Sequence, residues 1–204
     1  MKYHQYKNYE DYVFKQTKYN KRKEDWIWGW EETINRICED YGNDASFILC
    51  HGTRNGAEQR YFKNNFPNAE VIGTEISDTA TKYEMTVQHD FMVQNEEWVG
   101  KADIVYSNSI DHTTDIHKTL QVWKDQLSEN GTLYIEVGHQ VWGGTPSSSD
   151  PLSISEEEFN EVIYANRLKI DMWWDTEALH HRPRSTVSPE EFTARARVFA
   201  LSPY

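Results

Sequence analysis

The segment His51-Gly52-Thr53-Arg54-Asn55-Gly56 follows a short apolar run at 47–50 and has the composition of a binding turn. Gly52 and Gly56 allow backbone conformations that other residues rarely adopt, so the main chain can come close to a ligand before a helix begins. A simple strand-to-helix turn would contain the same two glycines. The turn by itself therefore leaves both interpretations open.

Acidic residues follow the next two apolar runs. Glu75 lies near the roughly 20-residue offset after Gly56 at which an acid meets a ribose diol, and its carboxylate can accept from both hydroxyls. Asp90 precedes Phe91 and Met92, so a carboxylate could accept from the exocyclic amine of a purine while an apolar side chain covers the ring. The alternatives are a helix-capping acid at Glu75 and a capped turn at Asp90, with Phe91 in the core.

Polar residues also follow the fourth and fifth apolar runs. Ser107 and Asn108 begin a loop of small polar residues that can hold a polar group at a reacting centre. Asp111 and His112 close that loop, and His139 follows the fifth run. A histidine titrates near neutral pH and can act as a general base, so these three residues are the catalytic candidates. A surface or hydrogen-bonding role is the alternative for each of them.

The elements that would position these residues alternate along the chain. Strands are predicted at 47–50, 70–74, 86–89, 102–106 and 132–137, followed by two closing strands at 168–174 and 196–201 with an antiparallel pairing. Helices are predicted at 26–41, 57–66 and 113–127, and from an N-cap at Ser155 to about residue 166. This alternation predicts an α/β fold with a doubly wound, mostly parallel sheet and helices on both faces. In such a sheet the ligand binds beyond the carboxyl ends of the strands, where the loops above lie.

The chain divides into two predicted parts. Residues 1–44 contain many Tyr, Trp and Lys residues and are predicted to form an N-terminal helical and aromatic arm, and residues 45–204 a single α/β domain. A Gly/Ser/Pro-rich loop at 138–151 is long for a connector. The arm and this loop are the expected substrate-selecting parts.

Composition restricts the possible partners. A net charge of −12 and a pI near 5.1 argue against bulk nucleic acid and anionic membranes. The basic segments 21–23 and 182–184 are expected to be solvated, and His180-His181 lacks the further residues that a metal site needs. Cys38 and Cys50 have no metal spacing, and no apolar run reaches the roughly 18 residues of a membrane span. We therefore expect a cytoplasmic protein without a metal.

Taken together, the five loops resemble, in order, those of class I S-adenosylmethionine-dependent methyltransferases, over about residues 45–140 for the motifs and to the C-terminus for the fold. The resemblance implies a seven-stranded Rossmann-like sheet, S-adenosylmethionine as the cofactor, and methyl transfer as the activity. The residues that would bind the cofactor are His51, Gly52, Thr53, Gly56, Glu75, Asp90, Phe91, Ser107 and Asn108.

Two positions of the first loop depart from the family. Cys50 stands where an acid is usual, and Arg54 where a middle glycine is usual. Arg54 could contact the carboxylate of the cofactor, point to solvent, or exclude the ligand.

Other functions remain open. The acceptor of the methyl group is expected to be a small molecule, a sugar or a protein side chain. A non-catalytic interaction protein would explain Cys50 and Arg54. A NAD-dependent oxidoreductase shares the turn and the ribose acid but lacks a G-x-G-x-x-G pattern here.

Overall fold

The computed structural model describes residues 1–180 and 192–204, and side chains are described except for those of residues 178–194. Its elements are β1 (Lys2–Tyr3), α1 (Tyr9–Arg22), α2 (Glu31–Tyr41), β2 (Phe47–His51), α3 (Ala57–Asn65), β3 (Glu70–Glu75), β4 (Thr86–Gln88), β5 (Ala102–Ser107), α4 (Ile116–Gln126), β6 (Leu127–Gly138), β7 (Leu152–Ser153), α5 (Glu156–Ala165), β8 (Leu168–His180) and β9 (Phe192–Pro203). His181 and the basic segment 182–184 lie outside the described residues.

Seven strands form the central sheet in the order β4-β3-β2-β5-β6-β9-β8. Strands β2 to β6 pair in parallel, whereas β9 is antiparallel to both of its neighbours. The chain runs outward from β2 to β4 and then returns to continue with β5 on the other side, so the strand order reverses between β2 and β5. The predicted doubly wound sheet with an antiparallel closing strand is confirmed.

Alternate residues of each strand face two separate apolar cores. Leu49 and Val105 point to the face covered by α4 and α5, where Trp123 and Phe159 are fully buried. Ile48 and other residues of the opposite parity point to the face covered by α2 and α3. Burial on both faces explains the near-continuous apolar runs in the sequence of the parallel strands.

The second helix begins later than its sequence predicts. A helix was predicted over 26–41, but α2 starts at Glu31 with Trp30 as an uncapped N-cap residue. A Cβ atom at Gly29 would lie 2.5 Å from Cγ of Glu58, so the chain before α2 passes directly over the start of α3. That close approach holds residues 26–30 out of the helix.

The other predicted helix ends agree closely with the structure. The side chain of Asp115 caps α4 by accepting from the backbone of Lys118. Ser155 and Glu158 form a reciprocal capping box at the start of α5. The predicted N-terminal signal at Ser155 is confirmed.

The first 44 residues contact both layers of the structure. β1 pairs with β7 in a separate two-stranded sheet. Tyr12 of α1 is buried in one core, and Ile34 and Ile37 of α2 are buried in the other. Among the described residues no helix is both long and apolar enough to cross a bilayer.

Candidate functional site

The first loop is shaped by left-handed backbone at three positions. Gly52, Arg54 and Gly56 have φ values of 76°, 44° and 71°. A Cβ atom at Gly52 would lie 2.6 Å from Cβ of Ser109, so only glycine permits the loops after β2 and β5 to meet. This contact lies where the strand order reverses, the usual ligand-binding position of such a sheet.

Glu75 lies at the carboxyl end of β3 and is 6% exposed. One of its carboxylate oxygens accepts from the backbone N–H of Arg54 at 3.1 Å, and the other accepts from that of Ser77 at 2.9 Å. Burial raises the pKa of this carboxyl, while the two backbone donors oppose the shift. Each oxygen keeps a lone pair, so an oriented carboxylate can still accept from a diol.

Asp90 and Phe91 follow β4 on the same side of the sheet. Oδ1 of Asp90 accepts from the backbone N–H of Met92 at 2.9 Å, and Oδ2 accepts from the hydroxyl of Tyr9 at 2.9 Å. The ring of Phe91 lies against Trp123, with ring centroids 5.5 Å apart. Asp90 and Glu75 thus point into one region, as the spacing of their strands predicts.

These residues line two adjoining cavities. We call the first the small cavity; it contains about 50 Å³ and is lined by Glu75, Asp90, Phe91, Gly52, Arg54, Ser109, Ile76, His112, Lys23 and, from α1, by Tyr12, Gln16, Tyr19 and Asn20. We call the second the large cavity; it contains about 440 Å³ and is lined by Lys23, Trp26, Trp28, Trp30, Gly52, Thr53, Arg54, Asn55, Glu58, Asn108, Ser109, Asp111, His112, Glu136, Gly138, His139, Gln140, Asp150, Arg195 and Ala196. The large cavity falls within the roughly 300–1,000 Å³ of ligand pockets, and the small cavity is far below that range.

The catalytic candidates all line the large cavity. Nε2 of His112 lies 3.7 Å from Oδ1 of Asp111, and its Nδ1 lies 3.0 Å from Oε1 of Gln16. Because the amide oxygen can only accept, Nδ1 carries the proton and Nε2 faces the carboxylate. Burial raises the pKa of Asp111. The structure therefore brings Asp111 and His112 into contact and places His139 in the lining of the same cavity.

Three of the predicted cofactor-binding residues lie outside both cavities. The imidazole of His51 is buried, stacks on Trp123, and contacts Oγ1 of Thr74 and Oε1 of Gln126 at 3.0 and 2.8 Å. Burial lowers its pKa to about 4. The side chain of His51 thus belongs to the core, and the predicted contact of this residue with a ligand is not made by its ring.

Ser107 and Gly56 shape the loops of the site. The hydroxyl of Ser107 donates to the carbonyl of His51 and accepts from the backbone N–H of Ser109, both at 3.0 Å. Gly56 is the N-cap residue of α3. Both residues hold the neighbouring segments in position without facing either cavity.

The two unusual positions of the first loop have different surroundings. Cys50 is fully buried in an apolar core. Arg54 lines both cavities, and a terminal nitrogen of its guanidinium donates to the carbonyl of Trp26 at 3.4 Å. The side chain of Arg54 therefore lies inside the site and does not point to solvent.

Several lining residues were missed from the sequence. Glu58 and Glu136 are 4% and 3% exposed and line the large cavity. The sequence did contain an indication for Glu136, since an acidic residue within the apolar run of β6 is typical of a functional position. Nothing in the sequence showed that Asp150 would lie near Asp111 and His112, with possible ligand atoms of the three within 4.8 Å of one another.

No family model and no curated protein matches the sequence, but solved structures do. Geranyl diphosphate C-methyltransferase from Streptomyces coelicolor A3(2), in complex with Mg²⁺, geranyl diphosphate and S-adenosyl-L-homocysteine, aligns with a TM-score of 0.63 and 14% identity over 85% of this chain and 77% of that one. Burkholderia thailandensis 1,6-didemethyltoxoflavin-N1-methyltransferase, with bound 1,6-didemethyltoxoflavin and S-adenosylhomocysteine, aligns with a TM-score of 0.57 and 14% identity over 84% and 78%.

A third structure is similar over nearly its whole length. It is a chain in a Haloferax volcanii complex that contains the Trm112 methyltransferase activator, and it aligns with a TM-score of 0.66 and 15% identity over 95% of this chain and 97% of that one. These similarities confirm the predicted fold, which is that of class I S-adenosylmethionine-dependent methyltransferases.

Proposed function

We propose that the protein is an S-adenosylmethionine-dependent methyltransferase. The observation that carries this proposal is the convergence of Glu75 and Asp90 on one cavity beside the Gly52 turn. Two carboxylates there match the two polar ends of an adenosine: Glu75 matches the ribose diol, and Asp90 matches the exocyclic amine of the adenine. The fold similarity adds support, because its members include proteins crystallised with S-adenosylhomocysteine.

The residues present fit this cofactor. Glu75, oriented by two backbone donors, would accept from the ribose hydroxyls. Asp90 would accept from the adenine amine, with Phe91 beside the ring. The turn from Gly52 to Gly56 would lie under the methionine part, and Arg54 has the charge to bind its carboxylate. Ser107 and His51 would act only by holding these loops in place.

Methyl transfer needs alignment of donor and acceptor more than acid or base chemistry. The bound cofactor would supply an electrophilic methyl group on a sulfonium. The large cavity adjoins the adenosine side through Gly52 and Ser109, so the acceptor would bind there. His112, whose Nε2 faces Asp111, and His139 are the candidates for removing a proton from the acceptor.

Binding measurements distinguish this proposal from its alternatives. Isothermal titration calorimetry should show binding of S-adenosylhomocysteine and no binding of NAD. Binding of NAD alone would instead indicate an oxidoreductase. Absence of binding by either ligand would favour a non-catalytic interaction protein.

A pair of variants tests the assignment of Glu75. Glu75→Gln replaces an acceptor-only carboxylate with an amide, and it should weaken S-adenosylhomocysteine binding by roughly tenfold to a hundredfold, since hydrogen bonds to charged groups contribute about 1.5–3 kcal/mol. Glu70→Gln changes the same residue type at the exposed, opposite end of β3 and should leave the affinity unchanged. Equal affinities for the two variants would contradict the ribose assignment.

The acceptor we propose is a small molecule, a sugar or a protein side chain, and we do not expect nucleic acid. Cys38 and Cys50 are both free thiols, in keeping with a cytoplasmic location. We also propose that residues 45–204 form the catalytic domain and that residues 1–44 serve as an arm over the site.

A further inference from the structure

The large cavity contains a buried carboxylate oxygen to which no described residue donates. Oε1 of Glu58 accepts from the side-chain amide of Asn108 at 3.3 Å, but Oε2 is buried and has no hydrogen-bond partner among the described residues. A buried carboxylate oxygen that lacks a donor costs about 1–3 kcal/mol or more, so such groups normally indicate an absent ligand or water. Glu58 therefore marks a position of the cavity where a hydrogen-bond donor belongs.

A second buried carboxyl lies close by. Oε2 of Glu136 accepts from the hydroxyl of Tyr106 at 2.8 Å. Burial raises the pKa of Glu58 to about 7 and that of Glu136 to about 8, and the negative charge of Glu58 adds to the second shift. Two carboxylates that repel each other are stabilised by a cation placed between them.

The cations of the chain do not fill this position. In the described part of the chain, no lysine or arginine nitrogen lies within 4 Å of the carboxylate of Glu58 or Glu136. Arg54 is the cation that most affects the pKa of Glu58, yet its guanidinium donates to the carbonyl of Trp26.

Part of the wall of the same cavity is aromatic. The indole rings of Trp26 and Trp28 line it, 5.9 Å apart and tilted by 42°. A cation already lies at this wall, because Nζ of Lys23 is 5.9 Å from the ring of Trp26. Indole faces attract cations, most strongly where water is excluded.

We propose that the methyl acceptor is an amine, bound between Glu58 and Glu136 and covered by the indole rings of Trp26 and Trp28. This inference rests on the proposed methyltransferase function. An alcohol or carbon acceptor would bring no positive charge into contact with either carboxylate, whereas an ammonium group offers donors to both.

The proton balance of the transfer fits this arrangement. The bound ammonium group first gives one proton to the carboxylate of Glu58. The lone pair of the resulting neutral amine then forms the N–C bond while the C–S bond breaks and its electron pair stays on sulfur. The nitrogen then carries one positive charge and one surplus proton. For an amine acceptor the carboxylate of Glu136, rather than His112 or His139, accepts that proton, and Tyr106 holds the carboxylate in place.

A matched pair of probes tests the proposal without knowledge of the natural acceptor. Benzylamine and benzyl alcohol differ only in the group that would meet the carboxylates. With the protein saturated by S-adenosylhomocysteine, calorimetry or NMR titration should show benzylamine binding at least about tenfold more tightly, a difference of roughly 1.4 kcal/mol. Equal affinities, or no binding of the amine, would overturn the proposal.

Two variants in β6 test whether Glu136 causes the preference for the amine. Glu136→Gln can still accept from Tyr106 but loses its charge, and it should abolish most of the preference for the amine. Glu129→Gln, at the exposed opposite end of β6, should retain the preference. A preference that survives in Glu136→Gln places the amine elsewhere and overturns the proposal.

The alternative is that the carboxylates hold the amine of the cofactor, and a second titration separates the two cases. We expect the affinity of Glu136→Gln for S-adenosylhomocysteine to stay near that of the wild type. Weaker binding of S-adenosylhomocysteine with unchanged binding of 5′-methylthioadenosine, which lacks the amino acid part, would assign Glu136 to the cofactor. Failure of the wild type to bind either adenosyl ligand would overturn the proposed function itself.

Discussion

The burial of Glu136 in β6 affects stability in a way that depends on pH. Its pKa is raised to about 8, mainly by burial, while an unfolded glutamate titrates near 4.3. Between these values the folded state binds more protons than the unfolded state, so this residue lowers the free energy of unfolding as pH rises. Below about pH 4 the penalty is absent, because both states are protonated.

Glu136→Gln removes this titration. The stability of the variant relative to the wild type should therefore rise from pH 4 to pH 8, by roughly 4 kcal/mol in total. Urea unfolding followed by fluorescence at several pH values measures the difference. Glu129→Gln, whose side chain is exposed, should show a difference that does not vary with pH. If the stability difference between Glu136→Gln and the wild type did not vary with pH, the carboxyl of Glu136 in the wild-type protein would be ionised in the folded state.

The roles of single residues were the least predictable part of the site. The sequence places His51 directly before the glycine turn, but the alternation of a strand directs its ring into the core. The sequence does not indicate that Glu58 belongs to the site, because an acid in the first turn of a surface helix is common. Its burial depends on Gly29, which lies 29 positions earlier in the chain and is brought close only by the fold.

At the level of elements, α1 restricts the proposed adenosine site. The hydroxyl of Tyr9 donates to Asp90, and four further residues of α1 line a cavity of about 50 Å³. Burial and the hydrogen bond to Asp90 raise the pKa of Tyr9 to about 12, so it remains a donor at neutral pH. A cavity of this size is too small for an adenosine, so cofactor binding at Asp90 would require α1 and the hydroxyl of Tyr9 to move.

Tyr9→Phe removes the competing donor and should strengthen S-adenosylhomocysteine binding by roughly threefold to tenfold, the equivalent of one hydrogen bond of about 0.5–1.5 kcal/mol. Tyr6→Phe is the control, since Tyr6 lies just before the same helix, lines neither cavity and donates to the carbonyl of Ser148. Calorimetry compares the two. A similar gain in both variants would indicate general loosening of α1, and a loss in Tyr9→Phe would show that the hydroxyl contributes to binding.

The strands were predictable because each is an apolar run bounded by turn residues, and the helix caps because their side chains act within a few residues. The contact between Tyr9 and Asp90 spans 81 positions and could not be read from local pattern. The same holds for the start of α2, where Gly29 packs on α3. Local chemistry therefore predicts elements, and long-range packing decides what lies between them.

At the level of the whole molecule, topology followed from the alternation of strands and helices, since parallel strands need crossover connections of fixed hand. The position of the site followed in turn from the reversal of strand order. The composition of residues 1–44 predicted an arm, but the packing of α1 along the small cavity did not follow, because no rule of handedness determines where an N-terminal helix packs.

The charge of the whole molecule predicts its behaviour toward polyanions. A net charge of −12 repels phosphates, and the basic segment 21–23 offers little compensation. Lys21 forms an ion pair with Asp78 at 2.7 Å, and Lys23 faces the two cavities, with its pKa lowered by burial.

We therefore expect no binding of a labelled RNA or DNA oligonucleotide in fluorescence anisotropy near physiological salt. Lowering the salt concentration should not induce binding, whereas proteins that neutralise phosphates bind more tightly as salt falls. Binding that strengthens at low salt would reveal a local basic surface and would return nucleic acid to the possible acceptors.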